Sequence, residues 1–268
     1  MKNILLLVHH DDGQEARLQA ALDVTRALEG HLACIDVTPY PVMAGNAVMG
    51  FGESVVLVDE RGSEAKNKAN LTDRLSREDV SWSWADVSGE IATSVLEAAD
   101  LADLIVLNRA LDGYPLPDMR DITSRIIERT SAAVLAVPET LEHFAVDRVL
   151  VAWDGGRSAA AALRAAVPIL ALACEVEIFM AREVIDDDMR NDPETAAAYL
   201  SRHGIHAAVK IAERAEGRAD ASITGESDAW RADLIVMGAY GRGRLRETFG
   251  GVTKRMLSDS KLPLLLAH

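Results

Sequence analysis

The sequence predicts an α/β protein built from two tandem, Rossmann-like doubly wound parallel-sheet domains related by internal duplication. Three observations carry that prediction. First, LADLIVLNRALDG (Leu101–Gly113) and RADLIVMGAYGRG (Arg231–Gly243) share ADLIV at an offset of 130 positions. Second, two further pairs repeat in the same order: NILLLVH (Asn3–His9) with RVLVAWD (Arg148–Asp154), and SAAVLAVP (Ser131–Pro138) with SKLPLLLA (Ser260–Ala267). Third, 268 residues are long for one such unit and suit two of about 130 each.

Short apolar runs alternate with Ala/Leu-rich stretches, the pattern of buried strands covered by helices. Hydrophobic residues make up 49% of the chain and aromatics only 4%, so the cores must be aliphatic. MKNILLLV reads as a first strand and not as a leader, because it turns acidic at Asp11 and Asp12. HLACIDV is an apolar run carrying Cys34. Between Thr38 and Glu53 lies PYPVMAGNAVMGFG, either a lid or an irregular connection. The join falls in ETLEHFAVD, Glu139 to Asp147, which gives units over 1–140 and 146–268.

In the second unit, strands are expected at Val149–Trp153, Val176–Ala181, Ala207–Ala212, Leu234–Gly238 and Leu262–Ala267. Helices are expected at Ser158–Leu172 with Ser158 as N-cap, Pro193–Arg202 capped by Asp192, Ala219–Trp230 and Val252–Ser258. Gly204 should stand just past the second of these.

The formal net charge of −14 argues against nucleic acid and against an anionic membrane surface. No apolar stretch approaches the ~18 residues of a membrane span. Cys34 and Cys174 form no CxxC pair or metal spacing; Cys34 reads as a reduced core residue, and a disulfide is left open. The expected location is cytoplasmic. His9 and His10 beside Asp11 and Asp12 read as a strand-to-helix turn, because strand alternation would send the two rings apart. Asp186–Asp188 lack the alternating spacing of a cation loop. No GxSxG elbow or flagged nucleophile is present, so an enzyme is not expected, with weak ATPase activity left open.

The segment richest in chemistry is GAYGRGRLRETFGGVTKRML, Gly238 to Leu257, directly after a buried strand. Ligands of open α/β sheets bind at such carboxyl ends. Gly238, Gly241 and Gly243 allow close backbone approach, and Gly250 and Gly251 are read as leading into a helix whose N-terminal amides attract anions. Arg242, Arg244, Arg246, Lys254 and Arg255 against Glu247 make a local charge of +4. These cations form either an anion site or a solvated, paired face.

These residues resemble the universal stress protein family, whose ATP-binding members carry Gly, two residues, Gly, nine residues, then Gly-Ser or Gly-Thr. Gly238 and Gly241 match; Gly250 follows after eight residues, leaving Gly251 in the hydroxyl position, or Val252 if nine are kept. Thr253 is a partial substitute. The resemblance implies the fold of the adenine nucleotide α-hydrolases and an adenine nucleotide, ATP with magnesium, as ligand. It implies Asp154 near adenine and ribose, Ala181 at the adenine edge, and Met237 as an apolar wall; Arg242, Gly243 and Thr253 fall in the same loop and helix start. Asp154 reads equally as a turn-forming residue. In the first half His9 replaces Asp154 and Asn108 replaces Gly238, so that half is degenerate. The two halves are expected to pair as an intramolecular pseudo-dimer by covering each other's last strands, with a homodimer of chains as a further step. Two functions follow: a stress-responsive regulator binding adenine nucleotide in the second domain with little or no hydrolysis, or a non-binding interaction scaffold.

Overall fold

The structure, a computed structural model, describes residues 1–38, 65–111, 118–182, 192–213, 218–240 and 246–268, the side chains of 246–250 excepted. The elements of the first half are β1 (Asn3–Val8), α1 (Gln14–Ala27), β2 (His31–Thr38), α2 (65–75), β3 (Ser81–Ser88), α3 (Ile91–Ala98), β4 (Leu104–Asn108), α4 (Met119–Arg129) and β5 (Ala133–Val137). Those of the second are β6 (Arg148–Ala152), α5 (Arg157–Leu170), β7 (Glu175–Arg182), α6 (Pro193–Ser201), β8 (Ala207–Glu213), α7 (Ala219–Trp230), β9 (Leu234–Gly238), α8 (Arg246–Asp259) and β10 (Leu264–Ala267).

All ten strands form one sheet in the order β3-β2-β1-β4-β5-β10-β9-β6-β7-β8. Read outward from the centre, each half has the same order. Pairs within a half are parallel, and the halves meet through an antiparallel pair, β5 with β10, in the register Leu264↔Ala136, Leu265↔Leu135 and Leu266↔Val134. The pairing of last strands expected from the sequence is therefore present. The match continues past the strand ends: Arg109 N–H donates to Val137 O at 3.0 Å, and Ala239 N–H to Ala267 O at 2.9 Å.

Why the strands are continuous apolar runs is visible in their packing. Ile4, Leu6 and Val8 enter one core with α1 and α2, while Leu5 and Leu7 enter the other with α3 and α4. A strand buried on both faces needs apolar residues at every position. Each such side chain contributes roughly 1.5–3 kcal/mol by leaving water. In the second half α5 and α6 share the first core, and α7 and α8 the second.

Asp192 caps α6, accepting from Glu194 N–H at 2.9 Å, with Pro193 in the first turn; Gly204 beyond it has φ +75°. One cap differs from expectation. α5 starts at Arg157 with Gly156 as N-cap and no side-chain cap bond, so Ser158 lies inside the helix, buried. Asp154 already shapes the turn there, its Oδ1 accepting from Gly156 N–H at 2.8 Å. Both cysteines are free thiols, Cys34 buried and Cys174 exposed. No helix among the described residues is long and apolar enough to cross a membrane. The Gly/Met segment after Thr38 and Asp186–Asp188 lie outside the described residues.

Candidate functional site

In the second half the chain runs outward from β6 to β7 and β8, then returns to lay β9 on the other side of β6. Helices leave neighbouring strands β6 and β9 in different directions, which opens a crevice at their carboxyl ends. A cleft of ≈ 590 Å³, open mouth included, lies there. Its floor is the ends of β6, β7 and β9: Ala152 and Trp153, Phe179 and Ala181, Met237 and Gly238. Its walls are Ser158 and Ala159 of α5, Ala219 and Ile223 of α7, Val252 and Thr253 of α8, and Tyr240, with Asp154 also lining it.

Six residues singled out from the sequence thus meet in one place: Asp154, Ala181, Met237, Gly238, Val252 and Thr253. Asp154 is exposed at the cleft while holding the Gly155–Gly156 turn, and Gly155 has φ +71°. Its turn-forming and cleft-lining readings are compatible. Met237 is buried at 4% exposure. Gly238 has a reason beyond ligand approach: a Cβ there would lie 2.3 Å from Ala159 N and 2.5 Å from Ser158 C. The start of α5 packs directly on the strand end. Thr253 is buried, and its Oγ1 accepts from Tyr240 N–H at 3.4 Å. Tyr240 has φ +48°, a left-handed conformation that costs a non-glycine residue energy.

The glycine loop is only partly in view. Gly241, Arg242 and Gly243 lie outside the described residues. α8 begins at Arg246, not after the glycine pair. Gly250 and Gly251 are therefore inside the helix, and the amides free of intrahelical partners belong to its first turn, 246–249. RETF carries no helix breaker, so the helix can start ahead of the glycines, each of which costs about 1 kcal/mol without stopping it. The basic island is also smaller than its composition. Arg255 donates to Asp220 Oδ1 at 2.8 Å, and Arg218 pairs with the same carboxylate. Burial alone would raise the Asp220 carboxyl, but these two guanidinium bonds hold it below its ordinary value. Lys254 is exposed.

Phe179, Ile223 and Tyr240 line the cleft without having been marked from the sequence. Phe179 was within reach, since period-two alternation puts it on the same face as Ala181. Ile223 comes from a helix with no motif. Tyr240 also connects the cleft to the first half. Burial pushes its phenol up, and Glu128 and Asp121 of α4 act in the same direction. From the other side, Arg109 Nη1 donates to the carbonyls of Leu257 and Ser258 near the end of α8, the first at 3.2 Å, and Arg120 Nη1 donates to Ser258 Oγ at 3.1 Å. The segment that replaces the glycine loop thus supports the C-terminal end of the helix that contributes Val252 and Thr253 to the cleft.

β1 ends at Val8, so His9 and His10 fall in a turn rather than on a strand. Burial lowers the His9 imidazole. Among the described residues no group of three or more His, Cys, Asp or Glu could hold a metal ion.

Residues 145–268 match the universal stress protein family model. Among solved structures, a universal stress protein from Archaeoglobus fulgidus DSM 4304 aligns over 99% of this chain and 96% of its own, with 16% identity and a TM-score of 0.73. A protein assigned to the same family in Pseudomonas aeruginosa UCBPP-PA14 aligns over 100% and 93%, with 16% identity and a TM-score of 0.61. At that identity the likeness concerns the fold. A search of curated protein sequences gives no match.

Proposed function

Because residues 145–268 match the universal stress protein family model, we propose that the second half binds ATP or another adenine nucleotide between β6 and β9. In this reading it acts as a stress-responsive, cytoplasmic regulator with little or no hydrolysis. The observation that carries the reading is the cleft itself: one concave site at the topological switch point, apolar in its depth and polar at its edge. Phe179, Ala181 and Met237 suit a flat base. Asp154 is the acceptor for sugar hydroxyls. The first-turn amides of α8 suit phosphates, with magnesium accompanying a triphosphate.

Calorimetric titration of ATP with magnesium tests this. The expected result is saturable binding near one site per chain, weakened on the order of tenfold by Asp154→Ala, as for loss of one hydrogen bond to a charged group. Absorbance near 260 nm above that due to protein would show a co-purified nucleotide. No heat and no thermal shift would overturn the reading. The scaffold reading would then stand.

A further inference from the structure

The first-half counterpart of the cleft is filled by the chain itself. Carried along the sequence, the correspondence of Asn3 with Arg148 pairs Leu7 with Ala152, His9 with Asp154 and Gly13 with Ser158; that of the ADLIV segments pairs Asn108 with Gly238. All four second-half positions line the cleft. In the first half three of these positions, Leu7, His9 and Asn108, supply oxygens to the guanidinium of Arg17, a fully buried residue of α1. Arg17 Nε donates to Leu7 O at 3.1 Å and Nη2 to His9 O at 2.8 Å. Nη1 donates to both Asp11 carboxylate oxygens at 2.9 Å and to Asn108 Oδ1. By the same correspondence, Arg17 replaces Ala162, a small buried residue.

The chemistry of the site is inverted. A phosphate needs N–H donors, and among the described residues the groups bonded to the guanidinium are all oxygen acceptors. Asp11, its side chain 4% exposed, pairs with the guanidinium at 2.9 Å. Asn108 is completely buried, its Nδ2 donating to Val137 O at 3.4 Å. Room for the Asn108 side chain comes from Gly13, where a Cβ would lie 2.5 Å from Asn108 Oδ1. In the second half the glycine is on the strand and the side chain on the helix; here the two have changed places.

We infer that Arg17 is a resident ligand: the first-half counterpart of the cleft is a guanidinium site, occupied by the chain and closed to anions. That it leaves one nucleotide site per chain rests on the reading proposed above; the guanidinium site does not.

The test is chemical rescue of Arg17→Ala. Urea unfolding is measured in plain buffer, in millimolar methylguanidinium chloride, and in methylammonium chloride at equal concentration. The variant should unfold at lower urea than the parent. Methylguanidinium should recover much of the loss in a saturable way, because a ligand bound only by the folded state stabilises it by mass action. Methylammonium, which lacks the planar fork, should not. The parent protein should respond to neither salt. Equal effects of the two salts, or no effect of either, would overturn the assignment. Should Arg17→Ala be too unstable to purify folded, it is refolded from urea into each salt. A cooperative transition recovered in methylguanidinium alone supports the site, and recovery in both or neither overturns it. Absence of ATP heat in the parent alongside intact rescue would remove the nucleotide reading and leave this site standing.

Discussion

At the residue scale, environment decides which groups react. Burial pushes the Cys34 thiol up to about 12, while Cys174 is exposed. Thiolate is the reactive form, so a disulfide-exchange reagent at pH 8 should label one thiol in the folded protein and two in denaturant. Two rapidly labelled thiols without denaturant would mean that β2 opens. Glu90 offers a pH prediction. Burial would raise its carboxyl, but hydrogen bonds from Thr93, Arg125 and the α3 amides bring it down to about 2 from an ordinary 4.5. A depressed carboxyl stabilises the fold above pH 4.5 and loses that contribution as pH falls toward 2. Urea midpoints should therefore decline over that window, less steeply in Glu90→Gln. The effect should be small, because the Glu90 side chain is 47% exposed. An identical slope in the variant would remove Glu90 from the acid response. Legibility at this scale followed local pattern. Asp154, Ala181 and Met237 were singled out through the family resemblance, each at or just past the carboxyl end of an apolar strand. Arg17 could not be, since an arginine in a helical stretch ordinarily reads as a solvated one, and its acceptors combine Asp11 and two nearby backbone carbonyls with Asn108, 91 positions away.

At the scale of elements, the junction between strand end and helix start tolerates one side chain, not two. Gly238 meets α5 backbone, and Gly13 meets the Asn108 side chain. Gly238→Ala should cost about 1–3 kcal/mol by overpacking, read from urea unfolding. A neutral substitution would mean that α5 can slide. Gly13→Ala should be similarly damaging in the parent but milder in an Asn108→Gly background, giving a coupling of at least about 0.5 kcal/mol in the cycle. Additive effects would show that the two positions do not share this space. Helix α7 was legible to the residue, Ala219–Trp230, in spite of Gly225 inside it, with Gly217 and Arg218 before it and Arg231 after it. The start of α8 was not, because Gly-Gly suggests an N-terminus while RETF before it is free of breakers.

Across the whole molecule, the repeats anticipated equivalent strands in both halves, and the edge-strand argument anticipated the pairing of the last ones; the order across the sheet came from the structure. The repeats could not show that the degenerate loop would support the partner half through Arg109 and Arg120, because those contacts join residues well over a hundred positions apart. The seam also bears on assembly. β5 and β10 satisfy each other, so the homodimer entertained from sequence has no last-strand edge to use. The outer edges remain, and β8 carries Lys210 and Glu213 there, charges that oppose strand addition. Sedimentation velocity should give a single species near 28.9 kDa. A concentration-dependent species of twice that mass would show that an outer edge or a face pairs after all.

The same seam changes what dilution can do. Two separate polypeptides joined by such a strand pair would part as their abundance fell, and any property requiring both would fade with expression level. Here the connecting segment 139–147 tethers them, and Phe144 N–H is anchored to Asp23 of α1 at 3.0 Å. Tethering holds the halves at an effective concentration in the millimolar range or above. The contacts from Arg109 and Arg120 onto α8 are thereby independent of copy number, and a cell with a few molecules would hold the same assembled protein as one with many.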